Sequence, residues 1–225
     1  MSDDTLLLID APLVADPDAD EELGPDVAEP IADEDLRGSR LLLARRVVTP
    51  IEINGESGGL VELSCTFQPA YETRFTWARL TMMLKTPAGI RIAGLEPRAI
   101  QDPRPVKFTV DDKGTLGLKY APTELGVEQS IQKEYEVYHC AVQGSGIGTA
   151  KARWDFRENE HRQDGLGTDQ GLLLTLPVTG RVSGLVLVNA RLARSGVGGV
   201  LSAVRDMILG AEQRDYSFSV EIPEK

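Results

Sequence analysis

The stretch EYEVYHCAVQGSGIGTAKARWDFRE, Glu134–Glu158, decides the fold class. In its second arm Ala150, Ala152, Trp154 and Phe156 alternate with Lys151, Arg153, Asp155 and Arg157. A period of two is the signature of a strand, because successive Cβ atoms point to opposite faces. The first arm alternates less cleanly, with Tyr135, Val137, His139 and Ala141 on one face. Gly144, Gly146 and Gly148 separate the arms, so the stretch reads as a long antiparallel pair around a glycine loop.

Working outward, the same period recurs. Val61, Leu63, Cys65 and Phe67 alternate with polar residues, and Pro69 ends that run. Tyr71, Thr73, Phe75 and Trp77 share a face in the next run, which becomes apolar on both faces up to Leu84. Leu41–Ile53 is ambiguous between strand and helix, with Val47, Val48 and Pro50 tilting it towards a strand, and Asn54–Gly59 reads as a turn. Val106, Phe108 and Val110 lead into the hairpin turn DDKG, Asp111–Gly114. Leu116, Leu118 and Tyr120 return, and residues 121–132 form a connection. Leu172–Val178 and Arg181–Leu192 read as a further hairpin around Thr179 and Gly180. Val200, Leu201, Val204, Met207, Ile208 and Ala211 lie at helical spacing and predict the one helix. Tyr216, Phe218, Val220 and Ile222 close the chain as a strand.

The expected fold is therefore all-β and mainly antiparallel: a β-sandwich of about nine strands with one C-terminal amphipathic helix. The expected domains are a disordered acidic arm, residues 1–38, and a single β-sandwich, residues 39–225. The charge distribution sets that boundary. Of 225 residues with net charge −11, the first 38 hold thirteen acidic side chains and one basic one, Arg37, which leaves the remainder near neutral. A segment of Asp, Glu, Ala and Pro buries too little apolar surface to offset its ordering entropy. Leu6–Ile9 is a short sticky run that could dock on a partner or on the domain itself, and a solubilising tail is the favoured reading.

No basic excess points to nucleic acid. An acidic N-terminus and no apolar run near the roughly 20 residues of a membrane helix point to a cytoplasmic protein with no membrane span. Cys65 and Cys140 are too few for a disulfide framework. With His139 and His161 they complete the soft-ligand inventory, and no zinc spacing is present. The glycines at 144, 146 and 148 lack the third glycine and the following helix of a phosphate loop. DGLGTDQGL, Asp164–Leu172, resembles one calcium nonapeptide turn, but a calcium roll needs stacked copies. No catalytic residue, cofactor or metal is expected.

The fifteen residues 157–171 are polar and glycine-rich, and a loop that long in a compact domain is often functional. Arg157, Glu158, Glu160, His161, Arg162, Asp164 and Asp169 are its candidate binding residues. The expected function is a non-enzymatic protein-interaction or assembly module with a protein partner or a second copy of the chain. Two alternatives stand beside it. One is a β-barrel or cup holding an apolar small ligand under the helix. The other is a hydrolytic enzyme using the 157–171 loop.

Overall fold

The computed structural model of the chain describes residues 6–15, 29–30, 38–102, 106–110, 116–118, 133–137, 139–159, 165–166, 169–195, 201–209 and 216–224. These residues form strands and no helix. In order they are β1 (Leu6–Ala15), β2 (Glu29–Pro30), β3 (Arg40–Ile53), β4 (Glu56–Gln68), β5 (Thr73–Thr86), β6 (Gly94–Glu96), β7 (Ala99–Gln101) and β8 (Val106–Val110). There follow β9 (Leu116–Leu118), β10 (Lys133–Val137), β11 (Cys140–Ser145), β12 (Lys151–Arg157), β13 (Asp169–Leu176), β14 (Gly180–Ser195), β15 (Leu201–Leu209) and β16 (Tyr216–Ile222).

Two antiparallel sheets face each other in a sandwich-like arrangement. The first runs β6-β13-β4-β3-β1, and the second runs β15-β14-β5-β12-β11-β7. On one edge of β14, its start pairs with β16 and its end with β15. β1 belongs to both sheets. Leu6–Pro12 pairs with β3, and Leu13–Ala15 pairs with β15.

The alternating residues of the sequence supply the core. Val61, Leu63, Cys65 and Phe67 of β4 are buried, as are Ala152, Trp154 and Phe156 of β12. The two sheets meet through aromatic rings. Phe67 stands edge-on to Phe156 with centroids 5.2 Å apart, and tilted to Phe75 at 5.4 Å. Such geometries favour the ring quadrupoles beyond the area they bury. β3 and β4 are joined by Asn54 and Gly55, whose φ angles of 53° and 86° give the tight left-handed turn that matches strand twist.

β5 keeps its strand but not its expected phase. Phe75 is buried, then the register against β14 shifts between Phe75 and Trp77, and Ala78, Leu80, Met82 and Leu84 take the buried positions. The extra residue of the bulge turns Trp77 away from the face that Phe75 occupies. Among the described residues Tyr71 is the most exposed large hydrophobic, at 85%.

Four further expectations are corrected. The segment 201–209 is strand β15, paired with β14 from Asn189 to Ser195, and not a helix. Its sequence, LSAVRDMIL, does not alternate with period two, and pairing with the edge of β14 overrides the helical spacing. Residues 6–15 of the supposed arm are not disordered: Ile9, Ala11 and Leu13 are buried in the core. Residues 16–28 and 31–37 of that arm lie outside the described residues. β13 and β14 do not form a hairpin, since β13 pairs with β4 and β6 whereas β14 pairs with β5, β15 and β16. Thr179 and Gly180 thus carry the chain from one sheet to the other. The long pair at 134–158 is divided as well. β11 pairs with β12, with Val142 opposite Phe156, while β10 pairs with β8.

β1 is the strand most open to test. Leu13→Ala removes a core side chain that is 3% exposed. The expected cost is about 2–5 kcal/mol, read as a fall in the thermal midpoint of roughly 5–15 °C. An unchanged midpoint would mean that β1 is not docked in solution.

Candidate functional site at the root of residues 103–138

β7 and β11 are neighbours in the second sheet, with Gln101 opposite Cys140 and Ala99 opposite Gln143. Immediately below, the Asp102 amide donates to the His139 carbonyl at 2.7 Å. The chain therefore leaves this sheet after Asp102 and re-enters beside the same point. Residues 103–138 are an excursion closed at its base. Its described parts, β8, β9 and β10, form a separate three-stranded sheet in the order β10-β8-β9. Phe108 lies opposite Leu118 and Val110 opposite Leu116, which agrees with the hairpin read around DDKG. On the other edge of β8, Val106 lies opposite Val137 and Val110 opposite Lys133.

The root borders a cleft of about 240 Å³ lined by Ile100, Asp102, His139, Phe156 and Asn159, among others. The buried Asn159 amide donates to Asp102 Oδ2 at 3.0 Å. His139 Nε2 lies 3.2 Å from the Arg157 carbonyl. Both ends of the excursion are thus tied to the end of β12.

Glu158 fixes that end in turn. Its carboxylate accepts from Arg74 Nε at 2.7 Å and from the Gly165 amide at 2.8 Å, while its own amide donates to the Thr76 carbonyl. The two side chains are 5% and 14% exposed. Two charges taken that far from water are held only by good mutual geometry and additional hydrogen bonds, and both are present. Leu166 adds a backbone bond to the Phe75 carbonyl.

The seven loop residues expected from the sequence separate accordingly. Glu158 is a buried structural ion pair and Arg157 is exposed at the end of β12. Asp169, at the start of β13, holds Arg46 at 3.0 Å and accepts from Ser64 at 2.8 Å, both on the first sheet. Glu160, His161, Arg162 and Asp164 lie outside the described residues. Asp102, Asn159 and Arg74 carried no motif. Only their place beside the excursion distinguishes them. Among the described residues no cluster of three metal-type ligands occurs. Both cysteines are free. Burial, and then the charge of Asp169, push the Cys65 thiol up.

No family model and no curated protein matches the chain. Several solved structures are similar to it. Clostridium perfringens delta-toxin is 9% identical, with a TM-score of 0.34 over 82% of this chain and 94% of the toxin. A pore forming protein is 11% identical, with a TM-score of 0.32 over 81% of this chain and 86% of that one. The Clostridium perfringens NetB toxin in its membrane inserted form is 8% identical, with a TM-score of 0.31 over 81% and 90%. The expected interaction or assembly module is corrected on this finding, since the similar structures are a delta-toxin, a pore forming protein and a membrane inserted toxin. The cup closed by a helix falls with the helix itself, because 201–209 is a strand. Of the carboxylates expected in the hydrolytic loop, Glu158 and Asp169 are held in ion pairs on different sheets.

Two outcomes check this geometry. Glu158→Ala should cost about 3–5 kcal/mol in urea unfolding, because it strips a buried charge pair of one partner. An effect below 1 kcal/mol, at the level of exposed pairs, would mean the pair is solvated. In thiol labelling, the half-buried Cys140 should react in the native protein. Cys65 should react only after denaturation, since its thiolate is disfavoured by burial.

Proposed function

We infer that this chain acts on lipid bilayers: residues 103–138 open into one long β-hairpin and, with copies of itself, close a barrel through the membrane. The observation that carries the reading is the register of β8 on β10. Val106 opposite Val137, Phe108 opposite Tyr135 and Val110 opposite Lys133 form one unbroken ladder. Carried onward at the same register, that ladder would bring Leu116 opposite Val127 and Leu118 opposite Leu125. The turn would then fall at Ala121 and Pro122, once β9 left the other edge of β8.

Apart from Gly114, Thr123 and Gln129, the outer part of the sequence alternates in phase with that hairpin. Positions 106, 108, 110, 116, 118 and 120 are Val, Phe, Val, Leu, Leu and Tyr, and positions 125, 127, 131, 135 and 137 are Leu, Val, Ile, Tyr and Val. The intervening positions include Lys107, Thr109, Lys113, Thr115 and Lys119 on one arm and Glu124, Glu128, Ser130, Glu134 and Glu136 on the other. Apolar-out and polar-in alternation is the pattern of a strand between lipid and water. The outer part, residues 113–131, supplies two arms of about nine residues, the length of a tilted membrane strand. Asp112 and Lys133 then fall at its base, at headgroup level. On the polar face Lys119 would oppose Glu124, and Lys107 already opposes Glu136.

A lone hairpin leaves two unpaired edges, which hydrocarbon does not tolerate. Barrels of this kind need at least about eight strands, so about four or more copies are required. No helix among the described residues is long and apolar enough to cross a membrane, a fact that says nothing of strands.

A reversible lock tests this reading. Thr109 and Gly117 are opposite one another in the β8–β9 ladder. Facing strand positions lie within the span a disulfide bridges, whereas in the long hairpin the same residues would be about 26 Å apart along one arm. With Cys140 changed to Ser, the pair Thr109→Cys/Gly117→Cys should lose at least ~10-fold in dye release from phosphatidylcholine vesicles, with and without sterol, when oxidised. Reduction should restore it. Equal release by the locked protein, or none by the unaltered chain, overturns the proposal.

A further inference from the structure

The geometry points to Tyr71 as a membrane-interface anchor that seats the protein on a bilayer at the end from which residues 103–138 depart. This deepens the preceding reading and rests on it. The strand directions place the two features together. β5 starts at Thr73, and β12 runs against it with Lys151 opposite Met83 and Arg157 opposite Trp77. β11 runs against β12, and β7 against β11, so the chain leaves the second sheet at the Thr73 end of β5. The Glu158 amide, beside the root, is bonded to the Thr76 carbonyl. Tyr71 lies five residues further along, on the turn beyond the strand. Thr73, three residues along the strand from Thr76, stands about 10 Å beyond it at the rise of a strand, and Tyr71 lies on the turn that follows.

The turn is built to hold that ring outward. Ala70 is buried, and its amide donates to the hydroxyl of Ser39, which is itself fully buried. The Thr73 amide and hydroxyl both donate to the Ala70 carbonyl, at 3.1 and 2.8 Å. Glu72 sits at φ 57°, in the left-handed region that a glutamate seldom adopts. The backbone on both sides of Tyr71 is thus pinned, while the residue itself is 85% exposed. A ring with an apolar body and a hydroxyl tip suits the headgroup layer, where one end is dry and the other wet. The adjacent Glu72 is exposed and anionic, so the surface that fits is zwitterionic lipid rather than an acidic one.

Co-sedimentation with phosphatidylcholine vesicles tests the anchor separately from dye release. Tyr71→Ser should weaken vesicle binding by at least ~3-fold with the thermal midpoint unchanged, and Tyr71→Trp should retain binding. Bromine-labelled lipid should quench the tryptophan emission of Tyr71→Trp beyond that of the unaltered chain, which carries Trp77 and Trp154. Unchanged binding by Tyr71→Ser overturns the inference, as does a failure of the unaltered chain to bind vesicles. So does a loss of self-association by Tyr71→Ser without lipid, which would make Tyr71 a subunit contact. If binding depends on Tyr71 but no dye is released, the anchor stands and the barrel reading fails.

Discussion

Every strand in this molecule must find partners for its backbone donors and acceptors, and β1 meets that demand for both sheets. Without it β3 and β15 would each present an open edge along the segments that β1 pairs. The strand crosses between them at Leu13, whose amide bonds to the Ser39 carbonyl. The Arg40–Asp10 pair at 2.6 Å decorates the joint, but at about 40% exposure a surface ion pair contributes little. Backbone pairing, together with burial of Ile9, Ala11 and Leu13, holds the N-terminal strand in place.

A second constraint runs from the core to the root. The register shift at Phe75–Trp77 lets Phe75 meet Phe67 while the rest of β5 buries Ala78, Leu80, Met82 and Leu84. The same shift leaves Trp77 under the Arg79 guanidinium, 5.3 Å from the ring, and Arg79 holds Asp155 of β12 at 2.6 Å. Thr76, at the bulge, accepts from the Glu158 amide, and Glu158 pairs with Arg74. The irregularity that fits the aromatic core therefore also supplies the groups that fix the end of β12, where Asp102 and His139 are tied.

Period two made much of the fold legible. β4, β12 and β16 are buried where their alternation places them, and the DDKG hairpin pairs as expected. The misreadings share a cause: a local pattern was decided by a distant partner. Ile9, Ala11 and Leu13 alternate, but their neighbours are so acidic that composition outweighed the pattern. Residues 201–209 carry helical spacing, and only pairing with the edge of β14 overrides it. The sequence of β5 cannot show its own bulge, because the shift exists only against β14. The site was hidden for the same reason. Charged residues in a long loop are visible in the sequence, whereas the proximity of Asp102 to His139 follows from β7 meeting β11.

The excursion is legible in a different sense, because its alternation fits two arrangements. In the three-stranded sheet even positions of β8 oppose even positions of β9 and odd positions of β10. Apolar residues stand at even positions from 106 to 120 and at odd positions from 125 to 137. The long hairpin would preserve the β8–β10 parity and would gather them on one face. A slip of one residue would send every side chain to the opposite face, so agreement between two arrangements constrains the sequence tightly. Leaving the compact sheet would break the short β8–β9 ladder and lengthen the β8–β10 ladder by more pairs than were lost. In water that exchange would expose a longer apolar face, and in a bilayer it would bury one. The same residues can thus favour the folded sheet in solution and the hairpin in lipid, with the surrounding solvent deciding between them.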